Sequence, residues 1–411
     1  MSKNFTAINL TEKMFTVTWD LGRRCNYDCT YCPPHRHNNT SAHDSAENLF
    51  KTYDFIYDYL NIIKQYQKNM GVFKINVTGG EPMANPHTID LFEYIHQKDP
   101  TARVSVTTNG AYGRKIATRM ADALNAITIS YHTEADPITK KIVQDNLFFV
   151  HDYVKQKRGK GNVTVNVMMH KKREYWDECI DLMTRLDAAG IPYVPRPIGE
   201  HNNEWSIKKG YTHVYEPDQL EWIQNYWKSK NKPPEEEFVA ETTSSNEISL
   251  DEMKRMLKSK INSPNVLGMM AVEKPKTEQT ARSQGRMCCG SRPMQALVDN
   301  KWEDIKFIPN TEFEDWYCLI DRYWLHIEQE MGRVYHHQTC QANFGKQRGP
   351  IGYLNDTNTI LMGLEARLSN PNPELIVCPN KVCNCGLCIP KSSDEDFLRK
   401  NLLANIQKLH E

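Results

Sequence analysis

From residue 15 to about residue 200 the chain alternates short β-branched or apolar runs with longer amphipathic segments. Strands followed by helices in this rhythm bury their apolar surface by pairing in parallel, with the helices laid over the sheet. Strands are expected at Phe15 to Trp19, Phe73 to Thr78, Arg103 to Thr107, Ala126 to Tyr131, Asn162 to Met169 and Pro192 to Pro195. Helical spacing fills the gaps at about Ala46 to Asn69, Pro86 to Gln97, Arg114 to Asn125, Thr139 to Lys157 and Tyr175 to Ala189, the last closing on Gly190. The fold class is therefore α/β, with right-handed crossovers. Six βα units fall short of the eight that close a barrel.

The first expected strand leads into Arg24-Cys25-Asn26-Tyr27-Asp28-Cys29-Thr30-Tyr31-Cys32, a C-x3-C-x2-C loop. Cysteine normally fills all four corners of a four-iron, four-sulfur cluster, so three thiolates leave one iron open to a substrate or cofactor. The competing reading is a structural zinc knuckle with His35 or His37 as fourth ligand. Zinc sites usually pair two close ligands with two distant ones, which three crowded cysteines do not match, and His35, His37 and His43 lie in a polar stretch that reads as loop.

The second strand runs into Thr78-Gly79-Gly80-Glu81-Pro82, two glycines and a carboxylate at the strand end where parallel α/β folds build their sites. Glycine there admits close approach of a ligand to the backbone. The third strand ends in Thr107-Thr108-Asn109-Gly110, and the fourth in Ser130-Tyr131-His132, with Ser130 and His132 on one side.

These motifs together resemble the radical S-adenosylmethionine (radical SAM) superfamily: the three-cysteine loop with Tyr31 before its last cysteine, a "GGEP" element at Gly79, Gly80, Glu81 and Pro82, and a "TNG" element containing Asn109. The resemblance implies a partial (β/α)6 barrel, a 4Fe-4S cluster on Cys25, Cys29 and Cys32, and SAM chelated by the open iron. It implies that Gly79 to Pro82 hold the methionine amino group, and that Asn109 and Ser130 lie beside SAM. Asn166, a polar residue inside the fifth expected strand, and Arg196, just after the sixth, are weaker candidates for SAM or substrate, and His132 is the candidate catalytic residue. The alternative for each is a satisfied hydrogen bonder inside the barrel.

After Gly199 the texture becomes polar and tryptophan-bearing, with an expected helix from Pro217 to Lys228, then Lys232-Pro233-Pro234 and a Ser/Thr run at Thr242 to Ser245, a linker or insertion composition. Cysteines return at Cys288, Cys289, Cys318, Cys340, Cys378, Cys383, Cys385 and Cys388. The run from Trp316-Tyr317-Cys318 through Trp324 to Ile327, Gly332 to Tyr335 and Cys340, with the cysteine-rich tail, resembles the auxiliary-cluster domains called SPASM and Twitch. It departs from them in two places: Asp321 stands where glycine is usual, and His336 and His337 precede a delayed Cys340. One of these histidines is a candidate ligand, with exposure on a hairpin the simpler expectation. The resemblance implies an auxiliary iron-sulfur cluster drawn from Cys318, Cys340, Cys378, Cys383, Cys385 and Cys388, and structural zinc on the tail is the local alternative. The expected division is 1–200 as partial barrel, 201–286 as linker, insertion or cover, and 287–411 as the cysteine-rich domain.

Charge narrows the function. The 51 basic and 51 acidic residues cancel, so there is no broad positive field for sequence-independent nucleic-acid binding. No stretch approaches a signal peptide or the roughly 20 apolar residues of a membrane span, and twelve cysteines in such a chain read as metal ligands rather than a disulfide framework. A cytoplasmic protein is expected. The family resemblance then implies reductive cleavage of SAM to a 5′-deoxyadenosyl radical, fed by an external donor of the flavodoxin or ferredoxin type. Hydrogen abstraction from a peptide, a protein or a small molecule follows, with net oxidation (an oxidoreductase) where an auxiliary cluster accepts an electron. Only fourteen residues precede the first expected strand, which disfavours a fused leader-recognition domain. The rivals are RNA modification using a basic groove of Arg23, Arg24, Lys171, Lys172 and Arg173, and a non-catalytic zinc-stabilised binding protein.

Overall fold

The computed structural model describes residues 5–11, 13–32, 36–67, 69–159, 162–198, 215–230, 294–305, 312–338, 340–379 and 389–406. Residues 1–219 and 287–411 form one compact unit and 220–286 a second. Of the second unit the described part is 220–230, within α6 (Pro217–Lys230). Cys288, Cys289, Cys383, Cys385, Cys388 and His35 lie outside the described residues.

All six expected parallel strands form, as β2 (Met14–Asp20), β3 (Val72–Thr78), β4 (Arg103–Thr108), β5 (Ala126–Tyr131), β6 (Val163–Met169) and β7 (Tyr193–Pro197). They pair in that order, each parallel to the next. The intervening helices are α1 (Ala46–Tyr66), α2 (Thr88–Lys98), α3 (Arg114–Ala123), α4 (Pro137–Arg158) and α5 (Arg173–Ala189). Their ends follow local chemistry. The Ser45 side chain caps α1, and Asp136 caps α4 by accepting from the Ile138 and Thr139 N–H groups, with Pro137 pre-set for the first turn. Gly159 and Gly190 stop α4 and α5 in the left-handed conformation.

Alternation sorts the strand side chains. Ile75, Val77, Val104, Val106, Ile127 and Ile129 are buried on the helix-facing side. On the opposite face stand Lys74, Asn76, Thr107, Thr128, Ser130 and Asn166, half-buried or exposed. A closed eightfold barrel fills its interior with branched apolar residues; this open sheet keeps a polar face.

The remaining strands are β1 (Phe5–Leu10), β8 (Met294–Val298), β9 (Lys301–Ile305), β10 (Tyr317–Cys318), β11 (Trp324–Glu328), β12 (Arg333–Tyr335), β13 (Gly352–Tyr353), β14 (Ile376–Val377) and β15 (Lys391–Ser392), with α7 at Thr357–Ser369. β11 adds to the outer edge of β2, parallel to it, and β12 and β13 continue antiparallel, so the main sheet has nine strands. β1 pairs with β8 and β15 in a six-stranded sheet. The C-terminal segment thus shares one sheet with β2 and another with β1. Both joins are pairings across about 290 residues or more, which local periodicity does not encode.

Candidate active site

The three-cysteine loop leaves β2 at its C-terminal end and is tied to the loop after β3 by backbone bonds. Gly80 N–H donates to Gly22 O at 2.7 Å and Glu81 N–H to Arg24 O at 2.8 Å. Gly79 has φ +144°, and a Cβ there would lie 2.7 Å from Gly22 O. At Gly80 a Cβ would lie 2.4 Å from Arg23 O and 2.5 Å from Arg24 O. The two glycines thus admit the cysteine loop itself.

Glu81 is 5% exposed, and its carboxylate is consumed internally. It accepts from Met83 N–H at 2.8 Å, the Thr108 hydroxyl at 2.7 Å and Asn109 N–H at 2.5 Å. Asn109 in turn donates through Nδ2 to Asn26 Oδ1 at 2.7 Å, inside the cysteine loop. The "GGEP" and "TNG" elements are therefore one network holding that loop. Burial pushes the Glu81 carboxyl from 4.5 up to about 7, against the three hydrogen bonds that lower it. An acid whose folded pKa is raised stabilises the fold below its unfolded pKa and loses that contribution as pH rises through the folded value. Glu81→Gln is therefore expected to flatten a fall in melting temperature of the metal-free protein between about pH 4.5 and 7, on the order of 3 kcal/mol at full size. Parallel wild-type and variant melting curves in that window check it.

Around the thiols, Cys29 and Tyr31 are buried with Ile198, and Tyr27, Cys32 and Met168 pack against them. Tyr31 lies parallel to the His132 ring with centroids 6.0 Å apart, and Tyr27 meets that ring edge-on at 5.6 Å. The Tyr31 hydroxyl bonds to His132 Nδ1, which also lies 3.5 Å from Cys29 Sγ. Burial lowers the His132 pKa to about 4, so the imidazole is neutral at neutral pH. His132 supports the loop in this arrangement.

Cys25, Cys29 and Cys32 are free thiols. Burial first, then neighbouring negative charges, pushes Cys29 up to about 12 and Cys32 up to about 11. Such a desolvated trio ionises readily only with cationic charge among the sulfurs, and a metal deprotonates its thiol ligands outright. This donor set fits an iron-sulfur cluster. Among the described residues no three His, Cys, Asp or Glu side chains are placed to share a single metal ion, and His37 sits 3.4 Å from Asp28 Oδ1.

Ser130, Asn166 and Arg196 come together on the polar face. Ser130 is the register partner of Asn166, whose Oδ1 accepts from Arg196 Nε at 3.1 Å. Beside the cysteine loop a cavity of about 660 Å³ is lined by Cys29, Tyr27, Tyr112, Arg114, Asp136 and Asp145 among others. The five residues of the expected basic groove are not one free surface. Arg23 bonds Glu330, Arg24 donates to Ser41 O, Arg173 pairs with Asp218 at 2.8 Å and Lys172 lies over Tyr175.

In the C-terminal segment Cys318, Cys340 and Cys378 are buried. The pairing of Tyr317 with Val377 and Cys318 with Ile376 puts Cys318 and Cys378 diagonally on one face. The expected hairpin is β11–β12, turning at Gly332 with φ +61°. His336 is not exposed on it: it is fully buried, with neither ring nitrogen hydrogen-bonded among the described residues, and burial first lowers its pKa to about 3. Asp321, in the place of the usual glycine, is buried between Arg322 Nε at 3.2 Å and Arg367 Nε at 3.3 Å. Glu134 and His170, absent from the motif reading, also contact the cysteine loop.

The profile of the Radical SAM superfamily matches residues 19–204. The chain is 28% identical over 229 residues to "Molybdenum cofactor biosynthesis protein 1" of Bos taurus, covering 53% of this chain and 33% of that protein. It is 33% identical over 126 residues to "Probable GTP 3′,8-cyclase" of Methanocaldococcus jannaschii, covering 30% and 38%. It is 27% identical over 187 residues to "GTP 3′,8-cyclase" of Clostridium perfringens, covering 44% and 55%. The chain thus spans between a third and just over half of these relatives. Solved structures similar to it include Streptococcus suis SuiB bound to S-adenosylmethionine (TM-score 0.37, 15% identity, 54% of this chain and 49% of that one). Another is anSMEcpe with bound AdoMet (TM-score 0.36, 13% identity, 52% and 60%). No helix among the described residues is long and apolar enough to cross a membrane.

Proposed function

We propose that this chain, a radical SAM enzyme whose domain of that family covers residues 19–204, acts on a small polar molecule. The observation that carries the reading is the three-cysteine loop docked by Gly79 to Glu81 at the end of a parallel sheet with one polar face. A cluster on Cys25, Cys29 and Cys32 with bound SAM would supply one-electron cleavage to methionine and a 5′-deoxyadenosyl radical. The chain's own residues hold and shield that chemistry. Tyr27, Tyr31, Met168 and Ile198 pack around Cys29 and shelter it from water, and Ser130, Asn166 and Arg196 offer polar groups to SAM or substrate from neighbouring strands.

Relatives named as GTP 3′,8-cyclases support a small-molecule substrate over a peptide and make GTP the first compound to test. We assign Cys318, Cys340 and Cys378, with Cys383, Cys385 and Cys388, to an auxiliary iron-sulfur cluster, and the reducing electron to an external donor of the flavodoxin or ferredoxin type. The test is anaerobic reconstitution, reduction with dithionite, and 5′-deoxyadenosine measured with SAM alone and with SAM plus GTP. Cleavage of SAM that GTP accelerates is the expected result. Cleavage indifferent to GTP would move the search to other polar substrates, and no cleavage would overturn the enzyme reading.

A further inference from the structure

We propose that Glu134, backed by His170, is a positioning residue: it clamps the turn between Cys29 and Cys32 and places a fixed negative charge beside the metal group those thiolates hold, making that group harder to reduce. The inference rests on the reading of this loop as a cluster site.

The clamp is built from two strand ends. Glu134 follows β5, and its Oε2 accepts the Thr30 N–H at 2.7 Å while Oε1 accepts the Thr30 hydroxyl. Thr30 stands between two of the three cysteines, so the carboxylate fixes the loop where its ligand spacing is set. His170 follows β6 and is 3% exposed. Its Nδ1 accepts Lys172 N–H at 3.0 Å, which leaves the proton on Nε2, 3.1 Å from Glu134 Oε1. Tyr175 meets the His170 ring edge-on at 5.0 Å and Tyr31 lies 6.5 Å away, so the imidazole has little room to swing. Three donors thus hold Glu134 ionised, and they outweigh its burial and keep its carboxyl below the usual range.

A carboxylate locked this close to the loop opposes any further negative charge on it. Net charge and hydrogen bonding around a cluster are among the quantities that set its potential.

The experiment compares full-length wild type, Glu134→Gln and Glu134→Ala after anaerobic reconstitution, by iron per chain under chelator challenge and by EPR-monitored redox titration. Glutamine keeps an acceptor for Thr30 and removes the charge. It should hold iron as wild type does, with a tenfold shift of the reduction equilibrium toward the reduced form, about 59 mV for one electron. Alanine should lose iron to chelator several-fold faster. An unchanged potential in the glutamine variant overturns the electrostatic role, and wild-type iron retention by alanine overturns the clamp. Circular dichroism checks that alanine folds, and the glutamine potential stands without it. Iron absent from the wild type would sink the cluster reading itself, and this inference with it.

Discussion

Alanine at Cys25, Cys29 and Cys32 together is expected to remove about four irons per chain and to drop reductive SAM cleavage to the buffer background, while the chain stays folded. The fold survives because the loop's path is set by backbone bonds that do not involve sulfur: Cys25 N–H to Asn38 O at 2.7 Å, Gly80 N–H to Gly22 O at 2.7 Å and Glu81 N–H to Arg24 O at 2.8 Å. Iron and sulfide per chain after anaerobic purification make the measurement. A fall from roughly eight irons to about four would give the C-terminal cysteines a cluster of their own, and a fall from about four to none would leave them without iron. Zinc in place of iron in both proteins would remove the basis for radical chemistry.

Gly80→Ala is the second large effect. Its Cβ would sit 2.4 Å and 2.5 Å from the Arg23 and Arg24 carbonyl oxygens, backbone atoms that cannot rotate away as a flexible side chain would. Overpacking of this kind costs about 3 kcal/mol or more, a loss of several degrees in Tm. The displaced atoms lead directly into Cys25, so iron retention should fall with stability. Gly363→Ala, on α7 with nothing within 4 Å of the new Cβ, provides the contrast: a gain of about 0.5 to 1 kcal/mol from helix propensity. Differential scanning calorimetry of the two variants, with iron content of the first, decides the point. Equal melting temperatures for Gly80→Ala and wild type would refute the docking role given to Gly80.

The parallel core was legible because each element announces itself locally. Ala126 to Tyr131 forms the strand its alternation predicts, and Gly190 ends α5 as a left-handed cap. The cysteine loop and the Gly-Gly-Glu element were legible as residue types in a spacing. Their relation was not: that Glu81 spends its carboxylate on Thr108 and Asn109, and that the glycines face Arg23 and Arg24, depends on which loops the sheet order brings side by side. Glu134 and His170 escaped the motif reading for a similar reason. An acid after one strand and a histidine after the next are ordinary loop residues until parallel register sets both strand ends beside Thr30.

His336 shows the limit from the other side. Two adjacent histidines after a glycine turn read as an exposed hairpin, yet His336 is fully buried, with Phe344 edge-on at 5.9 Å and the charges of Arg367, Asp321 and Arg322 acting on it. β1 and β11 are the same lesson at the scale of the fold. Phe5–Leu10 and Trp324–Glu328 are short runs whose partners lie about 290 and 310 residues away, and closing such long loops is decided by which sheet edges remain unpaired.

By itself, then, the sequence determined the α/β class, the six parallel strands and their helices, and the three thiols that point to a metal, because hydrophobic period, capping residues and ligand spacing are local properties. Only the tertiary structure decided that the C-terminal segment completes the main sheet, that the Gly-Gly-Glu element carries the cysteine loop, and that Glu134 and His170 clamp it. Those are contacts between strand ends, and strand order is settled by burial and edge pairing summed over the whole chain.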